Sequence, residues 1–316
     1  MTKKIIAVAG ATGAQGGGVV RAILADKNGG FGARALTRDP NSDKAKALAD
    51  LGAEVVQADL HDPASVRRAF GGAYGAFCVT FFWNHMSPDT ELAEARSLAE
   101  AAKAAKLQHV IWSTLEDTRK SVPLSDSRMP TLMGKYKVPH FDVKGEADAL
   151  FEASGVPVTY LITSFYWENF IYFGMGPKKG TDGKLALSLP MAVKKLAGIA
   201  AEDIGKSAYA IFKKGPSATA GKRIGIAGEH LSGEEIAAKF SRALGQQVVY
   251  SPVSFDVYRG LGFPGADDLG NMFQFYAEFE QQLADTRDLG KTRALNPELQ
   301  TFDQWLARNV KNIPLK

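Results

Sequence analysis

The chain contains 316 residues, of which 45% are hydrophobic and 23% are charged. These values are ordinary for a folded globular protein and exclude a disordered, fibrous or collagen-like chain. The length allows one large domain or two unequal ones. The 38 basic and 34 acidic residues give a net charge of +4, and the two signs alternate along the chain. We therefore expect a solvated surface and no direct binding of nucleic acid.

Several features bear on cellular location and metal binding. No run of about 18 apolar residues occurs, which argues against a membrane span. Residues 1–4 lead straight into an apolar segment, without the pattern of a signal peptide. Cys78 is the only cysteine and lies in an apolar run, so we expect it in the core. The five histidines lack metal-ligand spacing. These features predict a cytoplasmic protein without a metal, with nuclear access open to it if the source is eukaryotic.

The first half of the chain alternates strand-like and helix-like segments. Helical spacing or helix-start signals predict helices around residues 19–24 and over 43–51, 63–70, 88–106 and 141–154. Apolar runs predict strands at residues 5–9, 33–37, 54–57, 75–80, 109–113 and 158–162. Such alternation implies βαβ units, which give a parallel sheet with helices on both faces. We therefore predict a doubly wound α/β fold.

Residues 115–139 interrupt this alternation with three prolines, several serines and no clear period. We interpret them as a long surface loop, an uncommon feature that usually has a functional reason. Beyond residue 165 the pattern is less regular, although a capping box is expected at Ser232–Glu235. An apolar stripe from Met272 to Leu283 is typical of a helix packed in a core or interface. Short strands are predicted at 184–189, 223–227 and 247–250, and an amphipathic helix at 203–212.

The strongest motif is a G-x-x-G-x-x-G loop between the first strand and the first helix, Gly10-Ala11-Thr12-Gly13-Ala14-Gln15-Gly16. Dinucleotide binding requires this strand–turn–helix context. We expect Gly10 to permit the tight turn, Gly13 to let the backbone approach a pyrophosphate, and Gly16 to let the helix pack on the strand. The pyrophosphate would face the helix N-terminus. The alternative is a glycine-rich turn that binds no ligand.

The end of the second strand bears on cofactor choice. An NAD-preferring site usually carries an acidic residue here, for the ribose hydroxyls. This chain has Thr37-Arg38 instead. A guanidinium can bind a 2′-phosphate through two charge-assisted hydrogen bonds, so Arg38 favours NADP(H). The alternative is that Arg38 pairs with Asp39 at the surface.

Further candidates follow the other strands, because the carboxyl ends of parallel strands line the ligand crevice. Asp59 could accept from the adenine amino group while Leu60 packs on the ring, although Asp59 could instead cap the next helix. Thr80 and Phe81 follow the fourth strand, and Ser113-Thr114 ends the fifth. We expect these residues to lie further toward the nicotinamide.

With these motifs the chain resembles the NmrA-like family of the atypical short-chain dehydrogenase/reductase superfamily, and most closely its NADPH redox-sensor proteins. The resemblance covers nearly the whole chain and implies an NADP-binding Rossmann domain with a smaller mixed C-terminal lobe. Its motifs are Gly10–Gly17, Leu36–Pro40, Gly52–Val56, Val79–Trp83, His140–Glu146, Tyr166–Phe170 and Leu261–Gly265. The cofactor contacts that it implies are Thr12, Gly13, Ala14, Gln15, Arg38, Asp59, Thr80, Phe81, Arg96, Lys144, Tyr166, Trp167, Glu168 and Asn169.

Classical members of that superfamily use a Tyr-x-x-x-Lys pair for proton transfer. Here the corresponding spacing is His140-x-x-x-Lys144, so the lysine is present and the tyrosine is absent. Both residues lie on one face of a predicted helix. His140 could donate a proton, but packing at the helix start is the favoured interpretation. Lys144 is better explained as a ribose or phosphate contact.

These observations predict an NADP(H)-binding redox sensor or regulator without efficient dehydrogenase activity. The expected partners are NADP(H) and a regulatory protein, with a homodimer as a further expectation. The alternative is an NADPH-dependent reductase of a small electrophile such as a quinone, imine or carbonyl. We expect the Rossmann domain at residues 1–165 and the smaller lobe at 166–316, with some C-terminal segments returning to the Rossmann domain.

Overall fold

The structure, a computed structural model, describes residues 2–180 and 183–315. The chain divides into two compact units, and each unit combines three separate segments. The first unit contains Met1–Asp117, His140–Thr163 and Ala201–Ile224. The second contains Thr118–Pro139, Ser164–Ala200 and Gly225–Lys316.

The regular elements are numbered in chain order. The strands are β1 (Lys4–Val8), β2 (Phe31–Thr37), β3 (Glu54–Gln57), β4 (Gly75–Cys78), β5 (His109–Thr114), β6 (Val158–Ile162), β7 (Phe165–Tyr166), β8 (Lys178–Lys179), β9 (Leu185–Leu187), β10 (Lys195–Ile199), β11 (Arg223–Gly225), β12 (Glu229–Ser232) and β13 (Val248–Tyr250). The helices are α1 (Ala14–Ala25), α2 (Asp43–Asp50), α3 (Pro63–Phe70), α4 (Pro88–Ala104), α5 (Pro139–Ser154), α6 (Asn169–Tyr172), α7 (Ala201–Lys214), α8 (Pro216–Thr219), α9 (Gly233–Leu244), α10 (Phe255–Arg259), α11 (Ala266–Glu278), α12 (Glu280–Thr286), α13 (Leu289–Leu295) and α14 (Phe302–Asn309).

The main sheet has seven strands in the order β11-β6-β5-β4-β1-β2-β3. Strands β1 to β6 all pair in parallel, for example Ile6 with Ala33 of β2 and with Gly75 of β4. The order 3-2-1-4-5-6 is that of the Rossmann fold, in which the order of the strands reverses at the adjacent pair β1 and β4. The predicted doubly wound sheet is therefore confirmed.

Helices cover both faces of this sheet, which explains why its strands are almost continuously apolar. On one face, α3, α4 and α5 bury a core that includes Phe70, Leu98 and Phe151. Cys78 lies in the same core, as predicted. On the other face, α1 and α7 pack so closely that a Cβ at Gly205 would lie 2.1 Å from the carbonyl carbon of Gly18.

The second unit is mixed, as the sequence predicted for the C-terminal lobe. One sheet has the order β12-β10-β7, with antiparallel and parallel pairings, and another has the order β13-β9-β8. The predicted capping box is present, because Ser232 and Glu235 each accept from the other's backbone N–H. Among the described residues, no helix is both long enough and apolar enough to cross a membrane.

Two sequence-based expectations were wrong in detail. The segment 115–139 is irregular, as predicted for a surface loop, but several of its side chains are buried, including Val122, Met129 and Tyr136. The cause is local packing in the second unit: Asn271 of α11 donates to the carbonyl oxygens of Pro130 at 2.9 Å and of Lys137 at 2.5 Å. The stripe at 272–283 is also two helices rather than one, since α11 ends before Phe279 and α12 begins after it.

Candidate functional site

The glycine loop joins β1 to α1 with the geometry that a close ligand approach requires. Gly10 has a φ of +61°, a conformation that side chains disfavour. Gly13 is the N-cap of α1 and brings no capping side chain. A Cβ at Gly16 would lie 2.4 Å from the carbonyl oxygen of Gly10, so the helix can approach the strand only through glycine. The first turn of α1 also contains no acidic residue, which suits the binding of an anion.

Arg38 follows β2 with an exposed side chain. Its backbone carbonyl accepts from Gln57 Nε2 at 3.3 Å. Asp39 instead accepts from the backbone of Asn41 at 2.9 Å. Within the described part of the chain no ion pair joins Arg38 to Asp39, so the proposed surface pair is not seen. The guanidinium therefore remains accessible to a phosphate.

Asp59 and Leu60 follow β3. Asp59 does not cap the next helix, because the N-cap of α3 is Asp62, which accepts from Ala64 N at 3.0 Å. The Asp59 carboxylate accepts from the backbone of His61 at 3.0 Å and is 48% exposed. Leu60 packs at the edge of the apolar core. Asp59 thus retains an accessible carboxylate for the predicted adenine contact.

The ends of β4 and β5 lie beside the glycine loop. Ser113 at the end of β5 donates to Gln15 Oε1 in the first turn of α1, at 2.7 Å. A Cβ at Gly10 would meet the side chain of Val79 at 3.2 Å. The next residues differ in exposure, because Thr80 is buried whereas the Phe81 side chain is 58% exposed. These contacts place Thr80 and Gln15 at one end of the sheet.

Helix α5 brings the two candidate catalytic residues to this end of the sheet. His140 is buried, and its ring centroid lies 4.7 Å from that of Trp83. This environment fits the packing interpretation of His140. The Lys144 ammonium donates to Thr80 Oγ1 at 2.7 Å and to Thr80 O at 3.1 Å. It also pairs with Glu91 Oε1 at 2.8 Å.

Sequence reasoning missed a charged cluster formed by His85, Glu91, Glu94 and Lys144. Glu91 is fully buried, and its Oε1 accepts from Thr80 Oγ1 at 2.6 Å while its Oε2 lies 3.3 Å from His85 Nε2. Glu94 Oε2 lies 3.8 Å from the same imidazole nitrogen. Acidic residues in the first turns of an amphipathic helix normally face solvent, so no sequence signal indicated burial of these two.

The charges in this cluster affect one another. Glu91 loses hydration on burial, but Lys144, His85 and Thr80 hold its pKa down, at about 2. The Glu91 carboxylate, 3.3 Å from Nε2, raises the pKa of His85. Burial and then the Glu91 charge raise the pKa of Glu94. His85, Glu91 and Glu94 could also ligate a metal, since their donor atoms lie within 4.8 Å of one another. However, the Lys144 ammonium already pairs with Glu91 Oε1 at 2.8 Å.

Arg96 and the segment Tyr166–Asn169 are the remaining predicted contacts. Arg96 lies on an exposed position of α4, two residues from the buried Glu94 and so on a different side of the helix. The segment Tyr166–Asn169 belongs to the second unit. There Trp167 is in the core, its ring centroid 5.2 Å from that of Phe302. Contacts between these residues and a cofactor stay predictions.

Comparison with known proteins gives the family. Residues 2–306 match the NmrA-like family. The chain belongs to the NmrA-like family. One curated relative in this family is the NmrA-like family domain-containing oxidoreductase FrzB of a Cladobotryum species. It is 29% identical over 299 residues, which cover 86% of this chain and 83% of that protein.

Solved structures agree with this assignment. The negative transcriptional regulator NmrA in complex with NADP is 25% identical, with a TM-score of 0.78, over 97% of this chain and 95% of that one. The triphenylmethane reductase of a Citrobacter species, in complex with NADP(H), has a TM-score of 0.73 over 97% of this chain and 99% of that one. At 19% identity it shows the shared fold alone.

Proposed function

We propose that this NmrA-like protein binds NADP(H) across the glycine loop and reports the redox state of the cofactor to a regulatory protein. The glycine loop would let the pyrophosphate approach the N-terminus of α1 closely. Arg38 supplies an accessible guanidinium for the 2′-phosphate. The NADP complex of the related regulator NmrA supports the same ligand. NmrA has also been crystallised with NAD, so the preference rests here on Arg38.

One observation favours binding without turnover, which the regulatory role requires. The three N–H donors of the Lys144 ammonium face three acceptors inside the protein: Thr80 O, Thr80 Oγ1 and Glu91 Oε1. The residue four positions earlier is a packed histidine rather than the tyrosine of the catalytic pair. In the Tyr-x-x-x-Lys pair of catalytic members, the lysine assists the tyrosine. Lys144 instead forms an ion pair with Glu91 inside the protein. This arrangement suits binding better than turnover.

A second candidate function is NADPH-dependent reduction of a quinone, an imine or a carbonyl. It is favoured by the position of His140 and Lys144 on one helix near the ends of β4 and β5, and by the curated relatives named oxidoreductases. In this reaction a hydride would leave the cofactor and a proton would come from His140. A homodimer and a cytoplasmic location stay predictions under either function.

Binding and turnover of the purified full chain separate the two functions. We expect calorimetry to show NADPH binding by the wild type and by His140→Ala. We also expect negligible loss of NADPH absorbance when quinones, imines or carbonyls are added. Robust wild-type turnover that disappears in His140→Ala, with binding intact, would replace the regulator by the reductase.

A further inference from the structure

Two aromatic side chains at the end of α6 are exposed although the helix itself is anchored. Tyr172 is 77% exposed and Phe173 is 48% exposed. Phe170 of the same helix is fully buried, and its ring centroid lies 5.2 Å from that of Phe240 and 5.6 Å from that of Phe302. Because Phe170 fixes the helix, the two exposed rings are held at the surface. Tyrosine and phenylalanine are enriched in protein–protein interfaces relative to the rest of a protein surface.

A tight turn after α6 brings a lysine beside these rings. A Cβ at Gly176 would lie 2.7 Å from Phe170 O, so the chain folds back onto the helix through glycine. A Cβ at Gly174 would lie 3.7 Å from Lys178 Nζ. The Lys178 ammonium therefore lies next to the residue that follows the aromatic pair. Lys179 is exposed as well, and the two lysines form β8.

The positive charge of these lysines is not neutralised by the part of the chain that the structure describes. Within residues 2–180 and 183–315, neither Lys178 nor Lys179 forms a salt bridge. β8 also ends the strand order β13-β9-β8, and lysine on an edge strand discourages pairing with another strand. A symmetric contact between two copies of this surface would bring lysine against lysine. The charge therefore favours a partner with acidic side chains.

We propose that Tyr172, Phe173, Lys178 and Lys179 form a docking surface for an acidic peptide segment that carries an apolar side chain. The rings would contact the apolar side chain, and the ammonium groups would pair with the carboxylates. A nucleic acid is less suitable, because its affinity depends on the number of phosphates neutralised and two lysines supply few such contacts. This inference names the kind of regulatory partner and therefore rests on the proposed function.

Peptide selection on the full chain tests this surface. A display library of random dodecapeptides is selected on the wild type and on a variant that combines Tyr172→Ser, Phe173→Ser, Lys178→Glu and Lys179→Glu. We expect the peptides that are enriched on the wild type alone to carry a net negative charge and at least one aromatic or aliphatic side chain. Absence of such enrichment, or enrichment of neutral or basic peptides, overturns the inference.

The aromatic contribution is measured with the selected peptides by fluorescence anisotropy. Tyr172→Ser combined with Phe173→Ser should raise Kd at least ten-fold, because truncated aromatic side chains at an interface lose much of the binding energy. Val257→Ser combined with Leu261→Ser is the matched control. These two side chains are 54% and 56% exposed elsewhere in the second unit, so the wild-type Kd should be retained.

The electrostatic contribution is measured in the same way. Lys178→Glu combined with Lys179→Glu should raise Kd about five-fold, and the wild-type Kd should rise about three-fold between about 50 and 300 mM salt. Lys103→Glu combined with Lys106→Glu gives the same change in net charge at exposed positions of the first unit, and should have little effect. Equal effects of the two lysine pairs would overturn the predicted charge complementarity.

Three further measurements identify other occupants and separate this inference from the proposed function. Tighter binding of single-stranded oligodeoxythymidine through the same four residues would make the surface a nucleic-acid site. A wild-type dimer that dissociates in Tyr172→Ser combined with Phe173→Ser would make it a self-association site. Either result overturns the inference. All the variants should bind NADPH like the wild type, since the substituted residues lie outside the predicted cofactor contacts. Failure of the wild type to bind NADPH overturns the proposed function instead.

Discussion

Arg38 is the residue on which the predicted cofactor choice depends. Its guanidinium is exposed at the end of β2, where an acidic residue would repel a 2′-phosphate. A charge-assisted bidentate contact contributes about 1.5–3 kcal/mol, so NADPH should bind about one to two decades more tightly than NADH. Arg38→Asp should remove this difference, and calorimetry with both cofactors measures it. Equal affinities of the wild type for NADPH and NADH would show that Arg38 does not bind the 2′-phosphate.

Two glycines of the same loop should behave differently, because Gly16 packs against the protein whereas Gly13 is predicted to face the pyrophosphate. A Cβ at Gly16 would lie 2.4 Å from Gly10 O, whereas one at Gly13 would lie 3.2 Å from the same atom. Gly16→Ala should therefore lower the free energy of unfolding by about 1–3 kcal/mol. Gly13→Ala should have a midpoint of urea unfolding close to that of the wild type. It should nevertheless bind NADPH at least ten-fold more weakly. Unchanged affinity in folded Gly13→Ala would place the pyrophosphate elsewhere.

The sequence allowed some site residues to be predicted and concealed others. The glycines and Arg38 could be proposed as site residues because their expected chemistry depends on a position next to a strand end, which a sequence displays. Glu91 and Glu94 could not, since charged residues near a helix start usually face solvent. Their burial depends on His85 and Lys144, which come from two other segments of the first unit. Such a partnership is set by tertiary packing and leaves no local pattern.

At the scale of elements, the agreement between the predicted and the observed secondary structure depended on how each segment is buried. Strands β1 to β6 were predicted to within a few residues because both faces of the sheet are covered and the strands read as apolar runs. In the segment 115–139 the buried side chains were not predicted, because the composition of the segment is polar. In the structure Lys137 is buried nevertheless, and its ammonium donates to the carbonyl oxygens of Asp126 and Met129 at 2.7 Å each.

The contact of this segment with α11 gives a testable prediction. Asn271 is fully buried, donates to two carbonyls of the segment and accepts from Arg259 Nε at 2.8 Å. Asn271→Ala leaves these partners unsatisfied, which should cost about 2–3 kcal/mol and speed trypsin cleavage at the exposed Arg128. Asn309→Ala, which loses one hydrogen bond to Trp305 O, is the matched control. Equal cleavage rates in both variants would mean that Asn271 does not anchor the segment.

At the scale of the whole molecule, a return of C-terminal segments to the first domain was predicted, but the segments that return were not identified. Residues 201–224 return to the first unit after a long excursion through the second. The return depends on α7 packing against α1 through Gly205 and Gly18. A glycine inside an amphipathic helix is compatible with this packing, but the sequence does not identify the partner helix.

The stability of the whole fold should decrease in mild acid because of His109. This residue of β5 is fully buried, and its Nε2 lies 3.0 Å from Thr159 Oγ1 and 3.2 Å from Thr219 Oγ1. Burial lowers the pKa of His109 from 6.5 to about 4. The unfolded chain therefore binds a proton that the folded chain excludes between these two values, and stability falls as the pH decreases through this window.

The expected loss from this residue is about 2 kcal/mol between pH 7 and pH 5. His109→Gln keeps a polar group beside the two threonines and removes the titration. Urea unfolding of the wild type and of the variant at both pH values isolates the contribution, because every other titrating group is common to the two proteins. The variant should lose about 2 kcal/mol less than the wild type on acidification. Equal losses of unfolding free energy in the two proteins would show that His109 is protonated in the folded protein. The charged imidazole would then be tolerated at the buried start of β5.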